Sequence, residues 1–284
     1  MKRSKVYWAV PIAVLVVIGL ALAGPIERVK ESIEAEGAES LIIECDFGAG
    51  ELFVHPDDID QAAILNVTYE PDKVEYLAQY DVRDGVGELF LESEIRGRSV
   101  DDLENTWDLT LGTRRPTELF FDIGACEADM DLGGIPITEL EMDIGAASGY
   151  IEFSEPNPER LREINIDVGA SSVEFRRLGN ANFEYLSFDG GAASIEVDLR
   201  GEFKGESIAD FDIGMGSADI VVPDGVAIRI ESDDSGWFSS VDFDNLDVDK
   251  VRSGVWESPG FEDASDRLVI RLDVGMGSVD IRSR

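Results

Sequence analysis

Positive charge is scarce in this sequence. Its 284 residues carry 24 Lys and Arg against 60 Asp and Glu, a formal net charge of -36. Such a chain repels phosphates and anionic headgroups, which argues against nucleic acid as a partner of its main domain. Histidine occurs once, at His55, beside Pro56 in a segment that reads as a surface turn. No Ser-His-Asp set is available away from His55, and no G-x-S-x-G segment occurs. No Gly-rich phosphate loop with a Lys appears. Cysteine occurs twice, at Cys45 and Cys126, without a C-x-x-C pair or a Cys/His cluster, so a zinc site is not expected. Cys45 alternates with Ile43 and Phe47, as a buried strand position does. Both cysteines read as buried free thiols, and a disulfide is the alternative for an exported chain. These absences leave no catalytic residue, cofactor-binding residue or metal ligand to nominate, and the chain reads as a non-enzyme without a cofactor.

What is present is a repeat. Asp143-Ile144-Gly145-Ala146-Ala147-Ser148 returns as Asp167-Val168-Gly169-Ala170-Ser171-Ser172, as Asp212-Ile213-Gly214-Met215-Gly216-Ser217 and as Asp273-Val274-Gly275-Met276-Gly277-Ser278. Further copies begin at Asp46, Asp122 and Asp189. The steps from Asp122 through Asp143, Asp167 and Asp189 to Asp212 are 21, 24, 22 and 23 residues. Around each copy apolar and acidic residues alternate, as in Leu140, Met142 and Ile144 between Glu139, Glu141 and Asp143. Period two means one buried and one wet face of a strand. The fold class expected is therefore all-β: a β-solenoid or β-helix-like stack of rungs with a period of about 22 residues. In such a stack the aspartates would lie about 4.8 Å apart. Each is read as a turn-former that accepts a backbone N–H, with a calcium-binding ladder as the sharper alternative.

Residues 1–25 form the first unit. Lys2, Arg3 and Lys5 precede eighteen apolar or small residues from Val6 to Ala23, near the lower length for crossing a bilayer. This reads as one N-terminal transmembrane helix. The N-terminus would be cytoplasmic and the rest extracytoplasmic at the cell membrane. Cleavage near Ala23, giving a secreted chain, is the alternative. Residues 26–40 read as a polar stalk with helical character, 41–115 as an N-terminal β part, and 116–284 as the repeat-built core. Arg96 to Asn105 reads as a loop, and Trp237 to Phe243 as a degenerate strand. Two weaker chemical candidates remain. Asp167 and Asp189 with Arg176 or Arg177 are the residue types of a polysaccharide lyase, and Trp107, Trp237 and Trp256 are able to stack on sugar rings.

The C-terminal run Trp256-Glu257-Ser258-Pro259-Gly260-Phe261, with Asp266-Arg267-Leu268 and the final D-V-G-M-G-S copy, resembles the end of the toast-rack domain. That domain is the C-terminal half of LiaF-type cell-wall-stress regulators. Asp46-Phe47-Gly48-Ala49-Gly50, Asn105-Thr106-Trp107-Asp108-Leu109 and Asp122-Ile123-Gly124-Ala125-Cys126 resemble the N-terminal part of longer toast-rack proteins. The resemblance covers residues 41–284. It implies a non-catalytic, membrane-tethered module that acts as a scaffold or sensor in cell-envelope stress signalling or assembly. Its implied partners are envelope or membrane proteins, such as a sensor kinase or permease; self-association is expected separately, from the unpaired strand edges at the ends of the stack. A cell-surface adhesion or carbohydrate-binding module is the alternative function.

Overall fold

The computed structural model describes residues 26–96, 103–232 and 239–283. The chain opens with β1 (Glu27–Ile33), β2 (Ser40–Asp57), β3 (Ala63–Tyr69), β4 (Val74–Arg83), β5 (Val86–Ile95) and β6 (Asn105–Gly112). Its middle is β7 (Thr117–Asp131), β8 (Ile137–Ile144), β9 (Ser148–Glu152), β10 (Leu161–Val168), β11 (Ser172–Arg176) and β12 (Phe183–Asp198). It closes with β13 (Glu206–Val222), β14 (Ala227–Ser232), β15 (Ser239–Asp244), β16 (Asp249–Arg252), β17 (Val255–Glu257) and β18 (Arg267–Ser283). Two short 3-10 turns, at Leu178–Ala181 and Phe261–Asp263, are the only helical pieces among the described residues.

The central strands pair in parallel and in register. β2 lies beside β7, β7 beside β8 and β9, and these beside β10 and β11. β12, β13 and β18 follow in the same sense. Register puts like side chains over like. Cys45, Phe121, Met142, Ile166, Phe188, Phe211 and Leu272 form one buried column. Val54, Met130, Ile151, Phe175, Val197, Ile220 and Ile281 form another on the second half of each strand. The two columns meet inside the molecule, as the edge-on contact of Phe175 with Phe188 shows, with ring centroids 5.2 Å apart. Burying such a phenylalanine contributes about 2–3 kcal/mol, so the columns supply much of the driving force for stacking.

After the second half of a strand the chain returns through a loop to the next first half. Buried asparagines plug these loops. The Asn157 amide donates to the carbonyls of Ile137 (2.9 Å) and Ala181 (3.2 Å) and accepts from the N–H of Ile137 and Glu159. Asn180 donates to Phe153 O at 2.9 Å and accepts from Glu202 N–H at 3.1 Å.

The expected β-solenoid led by a transmembrane helix is corrected on two counts, although the chain is all-β. First, the strands form one 18-stranded sheet wrapped, barrel-like, around a single core, instead of a uniform stack of separate coils. In the copies at Asp46, Asp122, Asp189, Asp212 and Asp273 one long strand runs straight through the bend. Antiparallel arms complete both ends: β1–β3–β6 and β4–β5 at one, β14–β17–β16 at the other. Tight connections such as Asp84-Gly85 leave too little chain for a parallel crossover, so these segments double back. Second, the apolar segment 6–23 lies outside the described residues. Among the described residues no helix is long and apolar enough to cross a membrane. The single-pass anchor and the cell-membrane placement that rested on it are set aside. The polar segment at 26–40 contains strand β1, where a helical stalk was expected.

Candidate functional site

Every copy of the repeat places its Asp on the same line. Cα register joins Asp46 to Asp122, Asp122 to Asp143, Asp143 to Asp167, Asp167 to Asp189, Asp189 to Asp212 and Asp212 to Asp273. The next residue in most copies, Phe47, Ile123, Ile144, Val168 or Ile213, is buried and fixes the Asp outward by alternation. From Asp122 to Asp273 the row is exposed, so water screens the repulsion of neighbours at the strand spacing to about 0.9 kcal/mol per pair. Glu141 flanks the row. Burial, then the neighbouring charges of Asp143, Glu139 and Asp167, push its carboxyl above the ordinary glutamate value.

Glycine makes the floor. A Cβ on Gly124 would lie 2.1 Å from the carbonyl oxygen of Gly48, one on Gly169 2.7 Å from that of Gly145, and one on Gly275 2.7 Å from that of Gly214. Each glycine thus presses on the backbone of the glycine in the adjacent strand. The bend amides are spent on this contact: Gly145 N–H donates to Ile123 O at 2.7 Å, Ala146 N–H to Gly124 O at 2.9 Å and Gly169 N–H to Ile144 O at 2.7 Å. These three N–H groups thus bond across to the adjacent strand's backbone. Row and floor together line an open groove of about 550 Å³ from Asp122 to Gly214. Among the described residues no group of three or more ligating side chains is placed to hold a metal ion.

Two smaller clefts lie on the outer faces. One, of about 530 Å³, gathers Arg252, Arg271, Asp210, Glu231 and Asp273. Arg271 pairs there with Glu231 (3.3 Å) and Asp210 (3.5 Å). The Tyr185 hydroxyl donates to Asp210 at 2.6 Å, which, with burial, pushes its phenol up to about 12. The other, about 480 Å³, is lined by Thr138, Glu139, Arg162, Glu163 and Tyr185.

The residues singled out from sequence are dispersed. Asp167 and Asp189 are neighbours in the row, but Arg176 is tied to Glu174 and lies over the Tyr150 ring, and Arg177 is tied to Glu152. Arg176 and Arg177 therefore do not form a carboxylate–arginine cleft with Asp167 and Asp189. His55 sits within β2, not in a turn. Its Nε2 is 2.8 Å from Thr110 Oγ1 and 3.6 Å from Asp108 Oδ1, so both neighbours converge on one ring nitrogen and no relay through the imidazole forms. Trp107 is fully buried against Phe47 and Tyr76, Trp256 is half-buried beside Phe243, and Trp237 lies outside the described residues. Cys45 and Cys126 are free and buried, and burial raises both thiols, that of Cys126 to about 12. The Arg162–Tyr185 cleft went unforeseen because its residues come from three strands with no shared motif. The asparagine plugs did leave a signal: Asn157 and Asn180 are one repeat apart.

Comparison with known proteins gives a family and several likenesses. The family described as the N-terminal domain of toast_rack, DUF2154, matches residues 23–176. No curated protein matches the chain. Among solved structures, a proposed cell-adhesion protein from Clostridium sporogenes is 14% identical, covering 91% of this chain and 100% of that one at a TM-score of 0.47. A proposed adhesin from Bacteroides fragilis is 9% identical, covering 91% and 97% at 0.37. A proposed lipid-binding protein from Parabacteroides distasonis is 10% identical, covering 92% and 98% at 0.34.

Proposed function

The chain belongs to the toast-rack family, and from that premise we propose that it is a non-catalytic scaffold or sensor of cell-envelope stress signalling or assembly, working through protein–protein contacts. One observation supports this reading above the others: the row of seven in-register aspartates beside a glycine-floored groove. The floor is held by backbone contacts, so the carboxylates keep a fixed spacing. A partner with basic residues on an extended segment meets charges repeated at the strand interval, an arrangement that favours fast, salt-sensitive association. Cross-linking in envelope extracts followed by affinity capture tests this. The expected result is a discrete envelope partner whose capture weakens on Asp143→Asn/Asp167→Asn/Asp189→Asn and at high salt. Capture unchanged by that triple substitution would remove the row from the account.

A second reading has its own observation. The cleft of Thr138, Glu139, Arg162, Glu163 and Tyr185 combines one aromatic ring with polar groups, the surroundings a sugar requires. A glycan array decides between them: binding lost on Tyr185→Ala favours a carbohydrate-binding or adhesion module.

A further inference from the structure

The second half-ladder of the sheet ends in two edge strands whose outward faces are opposite in charge, although Glu27 and Glu31 on the other face of β1 balance that strand's Arg28 and Lys30. Among the described residues, β1 is registered only against β3 at one end and β15 only against β18 at the other. On β1, Arg28, Lys30 and Ser32 are exposed, while Val29, Glu31 and Ile33 face the core. On β15, Asp242 and Asp244 are exposed, while Val241 and Phe243 face inward over Val279 and Ile281 and remain half-covered. Arg28, Lys30, Asp242 and Asp244 make no ion pair among the described residues. In a chain of net charge -36, a basic edge facing away from an acidic one is an unusual distribution.

The strands also run the same way. β1 is antiparallel to β3 and β3 to β6, so β1 points along β6 and β2. From β2 every partner through β7, β9, β11, β12, β13 and β18 to β15 is parallel. Simple translation of one molecule along the ladder therefore brings β1 of the next copy beside β15, parallel to it and with the same faces inward.

We infer that copies of this chain associate head to tail, β15 of one molecule pairing with β1 of the next. With Phe243 beside Val29, Asp242 falls beside Arg28 and Asp244 beside Lys30; Val241 falls beside Glu27, and Val29 covers the part of Phe243 that Trp256 leaves open. Like edges repel: β15 against β15 sets Asp242 and Asp244 against their copies, and β1 against β1 does the same with Arg28 and Lys30. The charges that keep identical edges apart thus select the unlike one. A contact between two different surfaces does not close on itself at two copies, and translation extends it into a filament. This goes beyond the proposed scaffold role and does not use the aspartate row.

Sedimentation of the full chain over a concentration series tests it, with a neutral detergent throughout because residues 6–23 are apolar. Assemblies longer than two copies are expected at about 0.15 M salt, where the repulsion between whole chains of net charge -36 is screened, weakened severalfold at about 0.5 M as the edge pairs are screened too. Asp242→Lys/Asp244→Lys and Arg28→Glu/Lys30→Glu should each leave monomers that melt like the parent. Mixing the two variants, or combining all four substitutions in one chain, should restore assembly. A monomer at every concentration, a species that saturates at two copies, or charge-reversed variants that assemble like the parent would each overturn the proposal. Assembly that responds to these edges and not to Asp167→Asn separates this result from the envelope-partner reading.

Discussion

Each turn of the chain changes direction at two places, and the two are built differently. At the D-x-G bend, backbone meets backbone: Gly124 on Gly48, Gly169 on Gly145, Gly275 on Gly214. At the return loop, a side chain does the joining, Asn157 and Asn180 each bridging two or more loop segments. A backbone contact allows one residue type, so the bend repeats almost unchanged. A plugging amide tolerates loops of different length, which is why the repeat step drifts from 21 to 24 residues without disturbing the register. Variation in repeat length is thus taken up on the return side, away from the groove.

The largest effect should come from the bend. Gly124→Ala forces a Cβ onto a backbone oxygen and is expected to cost about 3 kcal/mol, read as a lower melting temperature. Gly191→Ala, whose nearest atom is 3.3 Å away, should cost far less. If the two cost the same, the floor is not set by close approach. Next comes the plug: Asn157→Ala strands the carbonyls of Ile137 and Ala181 and should cost about 2–3 kcal/mol in denaturant titration. A loss near zero would mean the loops hold themselves. Asp167→Asn should stabilise by less than about 1 kcal/mol, an effect that fades in high salt because the row is exposed. The smallest effect is pH-dependent. A carboxyl raised in the folded state, as at Glu141, favours folding fully below its ordinary value of 4.5 and loses that contribution as pH rises through the raised value. Acidification into that window should raise the melting temperature, and Glu141→Gln should flatten the trend.

The bend side was legible in the sequence because its physics is local and repeated. Alternation placed Leu140, Met142 and Ile144 inside, and the D-x-G copies placed seven aspartates on one line. The rest depended on contacts between distant segments. The Asp84-Gly85 turn does mark the β4–β5 hairpin, but nothing near β1 announces that it pairs with β3. Arg176 and Arg177 sat at a suggestive distance in sequence from Asp167, yet Glu174 and Glu152 hold them elsewhere. His55-Pro56 looked like a turn because proline marks turns, but β2 runs through both residues in register with Thr110 and Leu111 of β6. The N-terminal apolar run was read by length and hydrophobicity alone, and no described helix takes that role.

Cys45 on β2 and Cys126 on β7 stay protonated and shielded within adjacent strands, so a thiol reagent meets them only when those strands part. Their labelling rate is consequently a clock for the opening of the sheet around β2, where Cys45 is in register with both β5 and β7, supplied by the native chain without any engineered probe.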